Sequence, residues 1–522
     1  MPTTLDRSRR SGSPMRRLRA PLAVLAAALM AVTAACAPTT TPTPPTPVDP
    51  VDASARSVRV NQLPKAVEVT WQADEDLTSF EVQWRTGAMP TWGTQTVTGR
   101  STTITDLTTL AMYQYRVRAT PTPELANPVW SATVSSRYYE ATLPVISINT
   151  NDQPILDKEN YVAATYSLDP NGSDVAAFSG AVEIRGRGNT TWDLPKKPYR
   201  LKLANKAALM GMPSNRHWAL LANYADRSQI RTTVGQTLAS MTSIDWSPRS
   251  QLVEVVLNGV YQGPYQLIEH RRIDKDRINI DEMSSSDNSG EALTGGYVFE
   301  IDFRGDDQAL RTSRGAKVTV SDPEPYTPEQ QAYAQSVLQR FEDALFSPDF
   351  ADPETGYRAY VDMESLIDSY LVAEFTMQVD FFYTSTFFYK KRGDEKFYFG
   401  PMWDFDVSVA PVTVGVEEIT WPANMPWVRN PSITFNRDGG GKWIGRLFED
   451  PTFVQAVHDR WQELKEPFGA YVQGMAAMQA PLNSAIKADS VRWDRGELGT
   501  YHRASQMQGW MNQRWNWMNS TM

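Results

Sequence analysis

Three aspartates are spaced to do acid–base or metal chemistry. Asp380 follows a run of helical periodicity, while Asp404 and Asp406 lie in Gly400-Pro401-Met402-Trp403-Asp404-Phe405-Asp406, directly behind a short aromatic strand. One carboxylate at a helix end and two behind a hairpin can converge on a point, hold Mg2+ and accept a hydroxyl proton. Singly, each also suits a cap or a solvated surface. A second element is basic: Arg185-Gly186-Arg187-Gly188-Asn189-Thr190-Thr191-Trp192 joins two strand-like segments. Glycine lets backbone amides approach a phosphate, and arginine grips one with two parallel donors. The same composition suits a plain surface hairpin. Third comes Lys196-Lys197-Pro198-Tyr199-Arg200-Leu201-Lys202-Leu203. On a strand, Tyr199, Leu201 and Leu203 face one way and Arg200 and Lys202 the other, which fits a basic grip or an exposed face.

The elements that must position these residues follow from periodicity. Strand patterns occur at Val145–Ile148, Ala181–Arg185, Tyr199–Leu203, Leu252–Leu257, Gly263–Ile268 and Gly296–Ile301, with Asn258-Gly259 as a hairpin signal. Helical spacing runs over Pro328–Phe346 and Met363–Val379, two aromatic strands follow at Thr386–Lys390 and Phe397–Phe399, and the chain from Gly441 is mostly helical. Strands first and helices later predict an α+β body over 143–522. Before it, over 57–142, short alternating segments such as Ala66–Trp71, Phe80–Trp84 and Tyr113–Ala119 predict a small β-sandwich.

The 522 residues are enough for two or three cores, and 41% hydrophobic with 21% charged residues is ordinary for a globular chain. Net charge is −9; six Arg against one Asp in residues 1–36 leave −14 on the rest, which excludes a general nucleic-acid binder. The single cysteine, Cys36, excludes disulfides within the chain and cysteine-held zinc. The four histidines are scattered, with no HExxH and no Gly-x-Ser-x-Gly. Residues 1–36 read as an export signal: six arginines, an apolar run from Pro21 to Ala35, then Ala34-Ala35-Cys36. The end resembles a bacterial lipobox, with Thr33 in place of the usual leucine, which implies lipidation of Cys36 and anchoring on the outer face of the cytoplasmic membrane. A plain secretory peptide is the alternative. Residues 37–56, rich in Pro and Thr, predict an extended tether.

Two resemblances add to this. The segment from Ile104 through Tyr113, Tyr115 and Val117, with Trp71 before it, resembles a fibronectin type III domain, in which Tyr113 would be the corner tyrosine; such a domain implies a spacer. The order RGRGNTTW (185–192), KKPYRLKL (196–203), WALLANYAD (218–226), NGVYQGPY (258–265) leading to Glu269, Gly295-Gly296-Tyr297 and WDFD (403–406) is similar to the CotH (spore coat protein H) kinase-like family. That resemblance implies an atypical protein-kinase-like body using ATP and Mg2+. It implies Asp380 as the catalytic base, Asp404 as metal ligand with Asp406 as a second, and Lys202 as the strand lysine on the phosphates, with Arg185 and Arg187 nearby. Asp226, in a helix, would orient Lys202, and Glu269 would fall at the adenine hinge. The chain departs from kinases where their loop carries an asparagine for a second Mg2+: here stand Ser385 and Thr386, after Phe381 and Phe382. WDFD also lacks the glycine of Asp-Phe-Gly.

The expected function is therefore an exported, surface-tethered kinase acting on Ser or Thr of extracytoplasmic protein. A catalytically weak surface-binding or structural lipoprotein is the alternative. Carbohydrate binding or hydrolysis is a third, suggested by the 16 tryptophans, although tryptophans crowded toward the C-terminus (Trp421, Trp427, Trp443, Trp461, Trp493, Trp510, Trp515, Trp517) suit core packing better.

Overall fold

The computed structural model describes residues 48–303, 305, 309–378, 380–414, 417–419, 422–428, 430 and 440–522. The export segment with Cys36, most of the Pro/Thr-rich stretch, Val379 and Trp421 lie outside the described residues. Seven strands, β1 (Arg56–Leu63), β2 (Ala66–Gln72), β3 (Ser79–Thr86), β4 (Gly93–Thr98), β5 (Ser101–Ile104), β6 (Met112–Ala119) and β7 (Val134–Arg137), build two sheets, β1-β2-β5 and β4-β3-β6-β7. Alternation turns Val67, Val69 and Trp71 of β2 and Phe80, Val82, Tyr115 and Val117 of the other sheet into one core, where Trp71 meets Phe80 edge-on at 5.3 Å. The Tyr113 hydroxyl accepts the Thr108 N–H at 2.9 Å. The described end of the stretch expected as a tether is packed, not extended. Ala53 and Ala55 are buried, Ala53 bridges Val129, and the Asp49 carboxylate accepts from Ser57 N and Ala132 N, both at 2.8 Å. Small side chains and one capping carboxylate let this end fold onto the sheets.

The next seven strands close into a barrel. They are β8 (Val145–Asn149), β9 (Val162–Asp169), β10 (Phe178–Gly186), β11 (Tyr199–Ala207), β12 (Asn215–Leu221), β13 (Ser250–Leu257) and β14 (Val260–Glu269), in the order β10-β11-β12-β14-β13-β8-β9. Ile184, Leu201, Leu203, Trp218, Val255, Tyr265 and Leu267 fill its interior. The β13–β14 hairpin turns on Asn258 and Gly259, at φ 50° and 76°, the left-handed pair that a type I′ turn requires. The small unit is joined tightly to the barrel: Tyr139 stacks on Tyr261 at 4.5 Å, and the buried Glu254 carboxylate accepts from Thr142 N and Leu143 N.

A five-stranded sheet, β16-β17-β15-β18-β19, follows, from β15 (Tyr297–Ile301), β16 (Leu310–Arg311), β17 (Lys317–Asp322), β18 (Thr386–Lys390) and β19 (Phe397–Phe399). Helices Arg231–Ser240, Pro328–Leu345, Met363–Thr376, Pro451–Gln473 and Ala504–Thr521 share one large core with it. Helix Pro328–Leu345 starts in a capping box, with Thr327 and Gln330 each bonding the other's backbone N–H and Pro328 in the first turn. Trp427, Trp443, Trp461 and Trp510 are buried here, and Trp515 and Trp517 pack against the same core. These tryptophans are spent on packing. Among the described residues no helix is long and apolar enough to cross a membrane.

Candidate functional site

A cavity of about 670 Å3 opens where the barrel rim meets the five-stranded sheet, a volume in the range of small-molecule sites. Its barrel wall is set by strand register. Arg185 of β10 pairs with Arg200 of β11, Arg200 with Ala219 of β12, and Ala219 with Ile268 of β14, so the four share one outward row. Arg185, Arg200 and Ile268 line the cavity; Ala219 and Ile268 pack below it on Phe387 and Trp403. Two residues further along β10 the chain turns into the loop carrying Arg187. Gly186 is required there by close approach: a Cβ would stand 2.5 Å from the Trp192 ring and 2.7 Å from the Asp157 carbonyl. Arg187 donates its N–H to Pro198 O, and its guanidinium lies over the Trp403 ring at 5.8 Å.

The opposite wall is acidic and backbone-strained. Asp380, Asp404 and Asp406 all line the cavity, joined by Glu300 from β15 and Ser385. Ser385 and Asp404 of this wall have φ of 51° and 58°, left-handed geometry that costs energy outside glycine and collects at functional sites. Side chains from helix Arg231–Ser240, and Gln378 just past the end of helix Met363–Thr376, hold the strained segment. The Gln236 amide donates to Met402 O at 2.9 Å, and the Gln378 amide donates to Trp403 O. Arg231 donates to the carbonyls of Ser408, Ala410 and Pro411. Phe405 seats against Gly235, where a Cβ would fall 2.2 Å from its ring.

The charges on these walls are out of balance. Burial pushes the Asp406 carboxyl up to about 7, and the neighbouring charges of Asp404, Asp380 and Asp226 push the same way. Burial also raises Glu300 to about 7, against the pull of Arg271 at 3.6 Å. Burial lowers Arg187, with Asp404 and Asp406 opposing that shift. A divalent cation would relieve the crowding at Asp404 and Asp406, and hard carboxylate oxygens suit Mg2+. Among the described residues no three acidic or histidine side chains are already gathered tightly enough to hold a metal alone. The site therefore fits an ion whose shell is completed by ligand oxygens, the usual manner of Mg2+.

Of the residues singled out in the sequence, Asp380, Asp404, Asp406, Arg185 and Arg187 meet at this cavity. Lys202, Asp226 and Glu269 do not line it. Lys202 shares the outer face of β11 but sits one step down the barrel, half-exposed and paired with Glu183 at 2.8 Å. Asp226 lies in the turn before a helix, not within one: it accepts from Ser228 N and Arg231 N and pairs with the Arg231 guanidinium at 3.3 Å, so it cannot orient Lys202. Glu269 is fully buried, held by Arg249 through two 2.9 Å bonds and by Trp246 Nε1 at 3.3 Å. Ser385, in the place of a kinase asparagine, donates to Asp404 Oδ2 at 2.8 Å. The residues missed were Arg200, Arg271 and Glu300. Arg200 was signalled by the same alternation that singled out Lys202; Arg271 and Glu300 carried no local signal.

A barrel set against a helix-backed sheet, with one large cavity at the seam, defines a mixed α/β protein whose candidate chemistry sits between its two halves. The model of the CotH kinase protein family matches residues 184–518, and the chain belongs to that family. No curated protein matches it. A solved structure described as "Myokine structure" is similar at 18% identity over 16% of this chain and 96% of that one, with a TM-score of 0.15.

Proposed function

We propose that the protein is an atypical kinase that moves the γ-phosphate of ATP to a serine or threonine hydroxyl of an extracytoplasmic protein. The observation that carries this is the convergence of Asp380, Asp404 and Asp406 on one cavity that Arg187 and Arg271 also line. In the proposed reaction the acceptor oxygen bonds to the γ-phosphorus, the bond to the β–γ bridging oxygen breaks, and the hydroxyl proton passes to the Asp380 carboxylate. Arg187 and Arg271 offset the charge on the transferred group. Asp404 and Asp406 are the residues that would hold Mg2+, which when bound neutralises phosphate charge. The two-lobed arrangement, a barrel over a sheet-and-helix body, supports the kinase-like reading. We further propose that the seven-stranded unit is a fibronectin type III-like spacer, supported by its two-sheet core and the Tyr113–Thr108 bond. Export and lipid anchoring through Cys36 belong to the same reading and rest on sequence alone.

One observation favours the second reading, a surface-binding protein of weak activity. Ser385 engages Asp404 where a kinase would offer an amide oxygen to a second metal ion. Transfer of label from γ-labelled ATP to exported proteins, with Asp380→Asn and Asp404→Asn beside the parent chain, separates the two. The kinase predicts labelling that falls ~10²–10³-fold in each variant, the scale of losing one transition-state contact. Labelling at background in the parent, with nucleotide still bound, would leave the binding protein.

A further inference from the structure

The cavity holds more cationic capacity than a transferred phosphate needs. Arg187 lies within the field of Asp404 and Asp406. Arg200 does not: its charged neighbours are Arg185, Arg272 and Glu324, with the Tyr161 phenol beside them. Its Nε is buried without a hydrogen-bond partner, and the side chain forms no ion pair with a described residue. Lys202, two residues on along the same face, is by contrast satisfied by Glu183. Arg185, the cross-strand neighbour of Arg200, is anchored by donation to Lys158 O and to Glu159 O at 3.3 Å, and Lys158 also lines this rim. Arg187 lies two positions on from Arg185, just past the end of β10 at Gly186.

The same rim carries Tyr383, which stacks on Phe303 at 4.0 Å and donates its N–H to the Asp380 carbonyl at 2.9 Å. A polypeptide bringing its hydroxyl to Asp380 would meet this aromatic pair at the cavity that Arg200 also lines. We propose that Arg200, with Arg185, forms an anion subsite that recognises an acidic side chain of the acceptor, close in sequence to the residue modified. This rests on the phosphoryl-transfer function above and names its substrate class: acidic rather than basic segments. Arg185 already faces Glu159 at 3.8 Å, so Arg200 is the member of the pair without a counter-charge, and a guanidinium takes a carboxylate with two parallel bonds.

The test uses the full chain and three labelled peptides, each with one serine flanked by Glu, Ala or Lys, followed by fluorescence anisotropy. Thermal shift with ATP and Mg2+ is run in parallel. The Glu peptide is expected to bind about tenfold more tightly than the Lys peptide. Arg200→Gln should erase that advantage, Arg200→Lys should keep most of it, and Lys202→Gln should leave it whole. The nucleotide shift should be the same in all four proteins. Equal affinity for the three peptides, or a Glu preference that survives Arg200→Gln, overturns the proposal. So does loss of the nucleotide shift in Arg200→Gln with peptide preference intact, because Arg200 would then serve the nucleotide. An Arg200-dependent Glu preference in a parent chain that shows no nucleotide shift would sustain the subsite and sink the kinase.

Discussion

Behind the cavity, buried charges complete one another; on its walls they do not. Arg514 and Glu374 are both fully buried and meet at 2.6 Å, and Arg514 spends its remaining donors on the carbonyls of Glu374, Ala423 and Met425. Asp226 and Arg231 also pair there, at 3.3 Å. A few residues away, Arg200 has an unpartnered Nε, and Asp406 is crowded by like charges. Removing a charge from water is expensive unless a partner is supplied. A chain that supplies partners so thoroughly in one region and withholds them in the next has left room for a ligand.

The comparison breaks most visibly where partners are complete. Glu374→Ala strands the buried Arg514 and should cost about 3–5 kcal/mol of unfolding free energy by denaturant titration. A loss under about 1 kcal/mol would mean that the pair is not the closed network described. Next in size is acid sensitivity. Burial, with Arg231, Arg227 and Arg495 nearby, pushes His502 down to about 3, and neither ring nitrogen has a hydrogen-bond partner. A histidine depressed below its unfolded value of ~6.5 adds stability that is present above pH ~6.5 and lost as pH falls toward 3. His502→Phe should flatten stability against pH between 6 and 4 by up to about 1.4 kcal/mol per pH unit. An unchanged slope would place the acid sensitivity elsewhere. Smallest is Lys202→Ala, which removes a half-exposed pair and should change stability by no more than ~0.5 kcal/mol, with nucleotide binding untouched. A lost nucleotide response there would return Lys202 to the phosphate grip.

Much of this was legible in the sequence where the signal was local. Asn258-Gly259 specified its hairpin, and alternation in Tyr199–Leu203 separated the inward face of β11 from the outward one. Asp380, Asp404 and Asp406 were found because they follow a helix end and a hairpin. Alternation names a face but not a depth, so Arg200 and Lys202 looked alike until register against Arg185 and Ala219 put one at the cavity rim. Closure of the barrel was not legible, since it depends on the parallel pairing of β8 with β13, more than a hundred residues apart. Glu269 looked like a hinge residue because nothing nearby in sequence announces Arg249 folding back on it across the β13–β14 pair.

The most direct test of the central claim, that the crowded carboxylates of the cavity are a nucleotide and metal site, is a thermal-shift titration of the protein with ATP, with and without Mg2+, beside Asp404→Ala. Stabilisation approaching ~2.7 kcal/mol at a hundred times the Kd is expected, dependent on Mg2+ and absent in the variant. No shift at millimolar ATP, or an equal shift in Asp404→Ala, would contradict it.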